Sequence, residues 1–477
     1  MQTKARTRDL LIGGEWTRAN EYISVRSPYN DSEVGRVGKA DPEHVERALE
    51  RAHEALSSPI PAYRRAEILE RAARSVEENA EDLARTIALE AGKPMKAARL
   101  EVSRAISTFT FAAVEARQLA GELVPMESSP AGAGKLAFTL RLPIGVVGAI
   151  TPFNFPVNLV AHKLAPAVAA GCPVVLKPAS ATPLSGFNLA EILLNAGLPE
   201  AYISVVPGSG SEVGGMLVED ERVRYITFTG SGTVGWGIQE RAKKKKVALE
   251  LGNSTPLVVH SDADLEAAAS AIATHAYSYA GQSCISIQRV IVQRDVHDEL
   301  LERLVPKVEA LKVGDPLDEE TDVGPLITPE DRERVMDWIA EARRDGASVL
   351  TGGELENGIL RPTVIDGVRP EMKVSCEEVF GPVASVLTYQ DLKEAIELAN
   401  STNYGLQAGI FTRDLGNALA AAQAMQFGGV LVNEAPTFRA DQMPYGGTKD
   451  SGNTREGPHY AVREMTEERV IVLNHPG

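Results

Sequence analysis

"VRYITFTGSGTVGWG", residues 223–237, sets a β-branched run against a glycine-rich turn and the start of a helix-compatible stretch. Gly230, Gly232 and Gly235 stand in the spacing G-x-G-x-x-G directly after the predicted strand. At such a turn, backbone N–H groups and a helix N-terminus can meet a pyrophosphate. Glu250 ends the next strand-like run 20 residues after Gly230, where the fingerprint expects an acid for the ribose hydroxyls. Two roles are therefore open to Glu250, ribose ligand or catalytic base, and the glycines alone also suit a plain tight turn.

Around this unit the same rhythm repeats. "IGVVGAI" (144–150), "CPVVLK" (172–177), "YISVVP" (202–207) and "KVALEL" (246–251) are short apolar runs separated by helix-compatible stretches. That alternation predicts a parallel sheet with helices on both faces. A second alternation follows after about residue 252, with "TPLVVH", "RVIVQ" and "GGVLVN" as strands and "DADLEAAASAIATHAYSYA" and "VHDELLERLVPKVEAL" as helices. Upstream, "DPEHVERALERAHEALS" (41–57) reads as a capped helix, with two more near 62–90 and 95–118. The segment 121–145 breaks both patterns and predicts an exposed hairpin; with the strand-like "RVIVLN" (469–474) it offers edges for pairing with another subunit.

Length and charge narrow the function. A chain of 477 residues implies several domains with a cleft between them. The net charge of -16 argues against nucleic acid or an anionic membrane as the main partner. The one basic run, Lys243 to Lys246, reads as a solvated helix end. Cys172, Cys284 and Cys376 are too few and too scattered for a disulfide framework or a metal centre, so a reducing cytoplasm is expected. No run of about 18 apolar residues predicts a membrane span, and "MQTKARTRDLLIGGEW" lacks the apolar stretch of a signal peptide.

"TPFNFP" (151–156), "VVLKPAS" (174–180), "FTGS" (228–231), "LELGNSTP" (249–256), "GQSC" (281–284), "EEVFGPV" (377–383) and "PYGGTKDSG" (444–452) occur together and in this order. Jointly they resemble the aldehyde dehydrogenase superfamily over essentially the whole chain. The resemblance implies an α/β fold: a Rossmann-like cofactor domain (1–121 and 142–251), a second α/β catalytic domain carrying the nucleophile (252–452), and a protruding β-hairpin oligomerisation or bridging element (122–141 and 453–477). A homodimer or homotetramer is expected. By the same resemblance Cys284 is the nucleophile, Asn154 an oxyanion donor and Glu250 the general base. The cofactor would meet Ile150, Thr151, Pro152, Phe153, Lys177, Ser180, Gly230, Ser231, Gly235, Leu251, Glu378 and Phe380. Thiolate attack, hydride transfer to NAD or NADP and hydrolysis of a thioester would follow.

Departures from the family pattern sharpen the expectation. Ser180 stands where relatives that use NAD commonly have an acid, and a hydroxyl beside Lys177 tolerates a 2'-phosphate, so NADP or dual use is expected. Asn253 replaces a second glycine after Glu250, which could change the mobility of the base. Arg104, His162 and Arg439 replace apolar or aromatic residues of the substrate funnel, and Tyr445 keeps a hydroxyl. Unpaired buried cations call for an anion. The far end of a small anionic aldehyde would provide it: phosphonoacetaldehyde, succinate semialdehyde, a sulfo-aldehyde or glyceraldehyde 3-phosphate. Neutral hydroxyaldehydes such as lactaldehyde are the alternative. Arg289 is assigned to structural or cofactor-side support, and Cys172 and Cys376 to packing. Glu250 argues against a coenzyme A-acylating relative, and Cys284, Glu250 and Asn154 together argue against a silent structural protein.

Overall fold

The computed structural model describes residues 6–474, so the ends of the expected terminal segments, 1–5 and 475–477, lie outside the described residues. Two seven-stranded sheets form its frame. The first runs Lys246–Glu250, Val223–Thr229, Val146–Ile150, Val174–Lys177, Ile203–Val205, Leu10–Ile12, Glu15–Thr17. Its first five strands are parallel, and the N-terminal pair closes the edge antiparallel. The second runs Ser348–Thr351, Thr363–Asp366, Val383–Tyr389, Ile287–Gln293, Thr255–Val259, Gln407–Phe411, Gly429–Val432, parallel except at the first pair. Strands such as "VVGAI" and "TPLVV" are buried at every position, as befits parallel sheets covered on both faces.

The helix Pro42–Ala55 starts where its sequence predicts, with Asp41 and His44 forming a reciprocal cap. The expected single helix near 62–90 is two, Ala62–Glu78 and Ala80–Ala91. Asn79 breaks it by donating Nδ2 to the Ser75 carbonyl at 2.7 Å, a local bond that competes with the helix ladder. Lys243 to Lys246 follows the helix Gly232–Arg241 rather than ending it: Lys243 turns the chain at φ 47° and Lys246 opens a strand.

The helix Met95–Gln118 packs along Asn158–Ala170, which is buried throughout. Residues four apart share a helix face, so Thr108 meets Asn158 and His162 across this seam, and Arg104 lies one turn away on the same face. The expected hairpin is present as Leu123–Val124 and Lys135–Pro143, and the C-terminal strand Thr466–Asn474 pairs antiparallel along Lys135–Pro143. Leu123, Leu136, Leu140, Val470, Val472 and Leu473 remain exposed on this small sheet. Among the described residues no helix is long and apolar enough to cross a membrane.

Candidate active site

Four neighbouring parallel strands of the first sheet end in register: Thr229 opposite Glu250, Phe228 opposite Ile150, and Ile150 opposite Lys177. Ligands of open α/β sheets sit outside this carboxyl edge, and Thr151, Pro152, Phe153, Gly230, Ser231 and Leu251 are the residues that leave it. Ser231 precedes the helix Gly232–Arg241 without a side-chain cap, leaving its first N–H groups free for an anion. The outer two glycines have packing reasons: a Cβ at Gly230 would lie 2.6 Å from the Phe228 ring, and one at Gly235 2.3 Å from Leu251. Lys177 is buried, and among the described residues its Nζ reaches only the Pro178 carbonyl at 3.3 Å. Burial without an anion pushes its ammonium down to about 8. A phosphate or ribose oxygen would satisfy it. Ser180 is exposed and donates to the Gly208 carbonyl at 3.3 Å.

Cys284 follows a turn of three consecutive left-handed residues, Tyr279, Ala280 and Gly281. A Cβ at Gly281 would lie 2.1 Å from the Gly381 carbonyl oxygen, so glycine is required there. The two non-glycine residues hold an unfavourable conformation that the surroundings must enforce. Tyr279 donates its hydroxyl to the Ala91 carbonyl at 2.8 Å, while Gln282 accepts from Ile327 N at 2.8 Å. Asn154 Nδ2 donates to the Gln282 carbonyl at 3.0 Å, which leaves its second N–H uncommitted beside the cysteine turn. Burial pushes the Cys284 thiol up to about 12, against a hydrogen bond with Tyr445, whose Oη lies 3.1 Å from Sγ.

Glu250 is buried, and neither carboxylate oxygen has a hydrogen-bond partner among the described residues. Burial, then the charge of Glu456, holds its carboxyl well above the usual range. A Cβ at Gly446 would lie 2.8 Å from Glu250 Oε1, so the carboxylate rests on the backbone next to Tyr445. From that tyrosine a chain of charged contacts runs outward. The Arg439 guanidinium lies 3.8 Å from the Tyr445 ring centroid, and its Nη2 reaches Glu456 at 2.9 Å and His162 Nε2 at 3.1 Å. His162 Nε2 and Arg104 Nη2 converge on Asp441 Oδ1 at 2.9 and 3.0 Å. Lys163 Nζ donates to Thr227 and Thr229 and lies 3.6 Å from Glu456. At the other side Phe153 meets Phe380 edge-on at 5.9 Å, and Glu378 accepts from Asn253 N at 3.0 Å, desolvation pushing it up to about 7.

The profile of the aldehyde dehydrogenase family matches residues 16–471. The chain belongs to this family. It is 44% identical over 472 residues to the 3-sulfolactaldehyde dehydrogenase of Priestia megaterium, covering 99% of each chain. It is 38% identical over 474 residues to the lactaldehyde dehydrogenase of Methanococcus aeolicus, covering 98% of this chain and all of the relative. Among solved structures, the glyceraldehyde-3-phosphate dehydrogenase GapN of Methanocaldococcus jannaschii in complex with NADP superposes with a TM-score of 0.92 at 39% identity, over 95% of this chain and all of that one. The protein is an NAD(P)-dependent aldehyde dehydrogenase with a Rossmann-like cofactor sheet and a second α/β sheet.

One expectation about this dehydrogenase needs correcting. Arg104, His162 and Arg439 do come together, but not as unpaired cations: Asp441 answers the first two and Glu456 the third. His162 is held below its usual range by burial, then by Arg439, and so is neutral. Asn253 tethers the segment after Glu250. Its side chain donates to Thr255 Oγ1 at 2.7 Å and to the Gln407 carbonyl at 3.1 Å, fixing the backbone. Gly252 is confined as well, since a Cβ there would lie 2.4 Å from Glu378.

Arg289 is fully buried and spends its guanidinium on the carbonyls of Ser254, Leu398 and Ala399. It serves structure, while Cys172 is buried against the Met465 carbonyl and Cys376 is half-buried. Sequence reasoning missed Asp441, Glu456, Lys163 and the Lys93–Glu101 pair. Lys93 lies over the rings of Phe155 and Tyr279, and Glu101 accepts from Val157 N and Asn158 N, tying the Asn154 loop to the cysteine turn. The available signal was proximity in sequence: Asp441 is two residues from Arg439, and Lys163 follows His162.

Proposed function

We propose that this enzyme oxidises a small anionic aldehyde to its carboxylic acid, with Cys284 as nucleophile, Asn154 as oxyanion donor and Glu250 as base. Cys284 Sγ forms the bond to the aldehyde carbon while the carbonyl π pair moves onto oxygen, and the thiol proton passes to solvent water. The free N–H of Asn154 stabilises the oxygen charge that develops there, a contribution of about 3–4 kcal/mol for such a donor. A bound nicotinamide supplies the acceptor for the hydride that leaves this carbon. Glu250 then takes a proton from water as the water attacks the thioester, and the acid and the Cys284 thiol are released. Its partnerless oxygens and raised proton affinity suit that base better than a ribose ligand.

The observation that carries the anionic substrate is that Arg104 and Arg439 each keep a buried Nε–H without a partner among the described residues, even after Asp441 and Glu456 are counted. Sulfolactaldehyde and lactaldehyde share a skeleton and differ at the terminal sulfonate, so their kcat/KM ratio is the test. A ratio of about tenfold or more for the sulfonate is expected; equal values would return the assignment to neutral hydroxyaldehydes. Succinate semialdehyde, phosphonoacetaldehyde and glyceraldehyde 3-phosphate complete the panel.

Lys177, Ser180 and Ser231 would hold the adenosine and pyrophosphate of the cofactor, and Phe153, Glu378 and Phe380 the nicotinamide end. A buried lysine without an anion and a serine in the acid's place support NADP, alone or beside NAD. Self-association as a dimer or tetramer would cover the exposed apolar side chains of the small antiparallel sheet. Sedimentation as a monomer at micromolar concentration would remove that assignment.

A further inference from the structure

Glu456 pins two residues at once. Its backbone bridges Tyr445 in both directions, Tyr445 N donating to the Glu456 carbonyl at 3.1 Å and Glu456 N to the Tyr445 carbonyl at 2.6 Å. Its carboxylate holds Arg439 Nη2 at 2.9 Å, and that guanidinium lies 3.8 Å from the centroid of the Tyr445 ring. The ring is buried, packed with Ile285 and Leu406 against Cys284. So clamped, its hydroxyl stands 3.1 Å from Cys284 Sγ, in hydrogen-bond contact. A phenylalanine would fill the same slot and meet the same cation, so neither packing nor stacking accounts for the oxygen.

The proton on that oxygen decides what it can do. Burial, then the neighbouring Cys284, holds the Tyr445 hydroxyl well above its usual range, so it keeps its proton and is a donor rather than a base. The sulfur, in turn, must carry negative charge to attack. Burial opposes that charge; the bond with Tyr445 favours it, Glu378 and Glu250 oppose it, and Arg439 favours it. The Arg439 cation also acts through the ring, since electron density drawn towards the π face strengthens the O–H as a donor.

We propose that Tyr445 is a further catalytic residue, whose hydroxyl donates a hydrogen bond to the Cys284 sulfur as the thiol proton passes to water, and so sets the share of enzyme armed for attack. Arg439, held by Glu456, is the positioning residue behind it. This rests on Cys284 as the nucleophile but not on the charge of the substrate.

Alkylation by iodoacetamide reads the sulfur without any aldehyde: the bond from Sγ to carbon forms as the carbon–iodine bond breaks and iodide leaves. The rate at pH 8 is followed by mass spectrometry of the peptide containing Cys284. Tyr445→Phe removes only the oxygen. Loss of a charge-assisted bond makes the thiolate about tenfold scarcer or more, and the more basic sulfur regains about half of that on a logarithmic scale, so alkylation should slow about threefold or more. In the same variant kcat/KM should fall for propanal and for succinate semialdehyde alike, by factors within about twofold of each other. An enzyme with 3-fluorotyrosine at position 445, a stronger donor of nearly the same shape, should be alkylated about twice as fast as the wild type. A smaller slowing in Tyr445→Phe, an unchanged kcat/KM, a loss confined to charged aldehydes, or a fluorotyrosine enzyme no faster than the wild type overturns the proposal. If Tyr445→Phe does not fold, the fluorotyrosine enzyme decides alone. Turnover that survives in Cys284→Ala would remove the nucleophile and the catalytic role of Tyr445 with it, whatever the alkylation rates show of the contact itself.

Discussion

Replacing Arg104 by Met should separate recognition of the substrate's far end from the chemistry. Arg439 is the poorer target, because it bonds Glu456 and covers Tyr445, so its loss would disturb the reaction for every substrate. Among the described residues Arg104 bonds only Asp441 through its guanidinium, and Met preserves both the helix and much of the apolar stem. Asp441 retains His162 and Asn158, so the stability cost should stay below the about 3–5 kcal/mol of a fully broken buried pair. A lost charge-assisted bond to the substrate is worth about 1.5–3 kcal/mol, which is about a 10- to 150-fold fall in kcat/KM. That fall should appear for sulfolactaldehyde and succinate semialdehyde, chiefly in KM, measured by cofactor reduction at 340 nm. Propanal should change by less than about threefold. Equal losses on charged and neutral aldehydes would refute the reasoning, since a bystander on the helix seam affects both alike.

Further outcomes are expected elsewhere in the molecule. Glu250→Gln should raise the thermal midpoint at pH 8 and raise it less at pH 5. The folded protein binds the Glu250 proton more tightly than the unfolded chain does, so stability falls as pH rises from the usual carboxylate value, near 4.5, towards the raised one. Ser180→Glu should lower the NADP-to-NAD ratio of kcat/KM at least tenfold by repelling a 2'-phosphate, with NAD turnover retained. Lys93→Met and Glu101→Gln should each lower the thermal midpoint sharply, because breaking a buried pair costs about 3–5 kcal/mol. The double variant should lose less than the sum in thermal melts.

The two parallel sheets were legible because buried parallel strands are continuous apolar runs, and "VVGAI" or "TPLVV" admits little else. The break at Asn79 was not, because the apolar periodicity runs through it and the deciding bond is a local side-chain one. In the site, Cys284, Asn154 and Glu250 stood out through the order of motifs. Their supporting charges did not, since Asp441 meets Arg104 across 337 residues and Asn158 across 283. Proximity in sequence sets Asp441 beside Arg439, but nothing local reports that it answers Arg104. The premise of unpaired cations failed for that reason, while the approach of Arg104 and His162 to one another followed from two helices packed face to face.

The central assignment, Cys284 as nucleophile and Glu250 as the base that frees it, is tested most directly by intact-protein mass spectrometry of Glu250→Gln. The variant would be mixed with NADP and an aldehyde of the panel, and the cofactor followed at 340 nm. One equivalent of reduced cofactor should form in a burst, and a lasting acyl adduct should map to the peptide containing Cys284. An enzyme that binds cofactor poorly, forms no adduct and shows no burst would contradict the account and make Glu250 a ribose ligand.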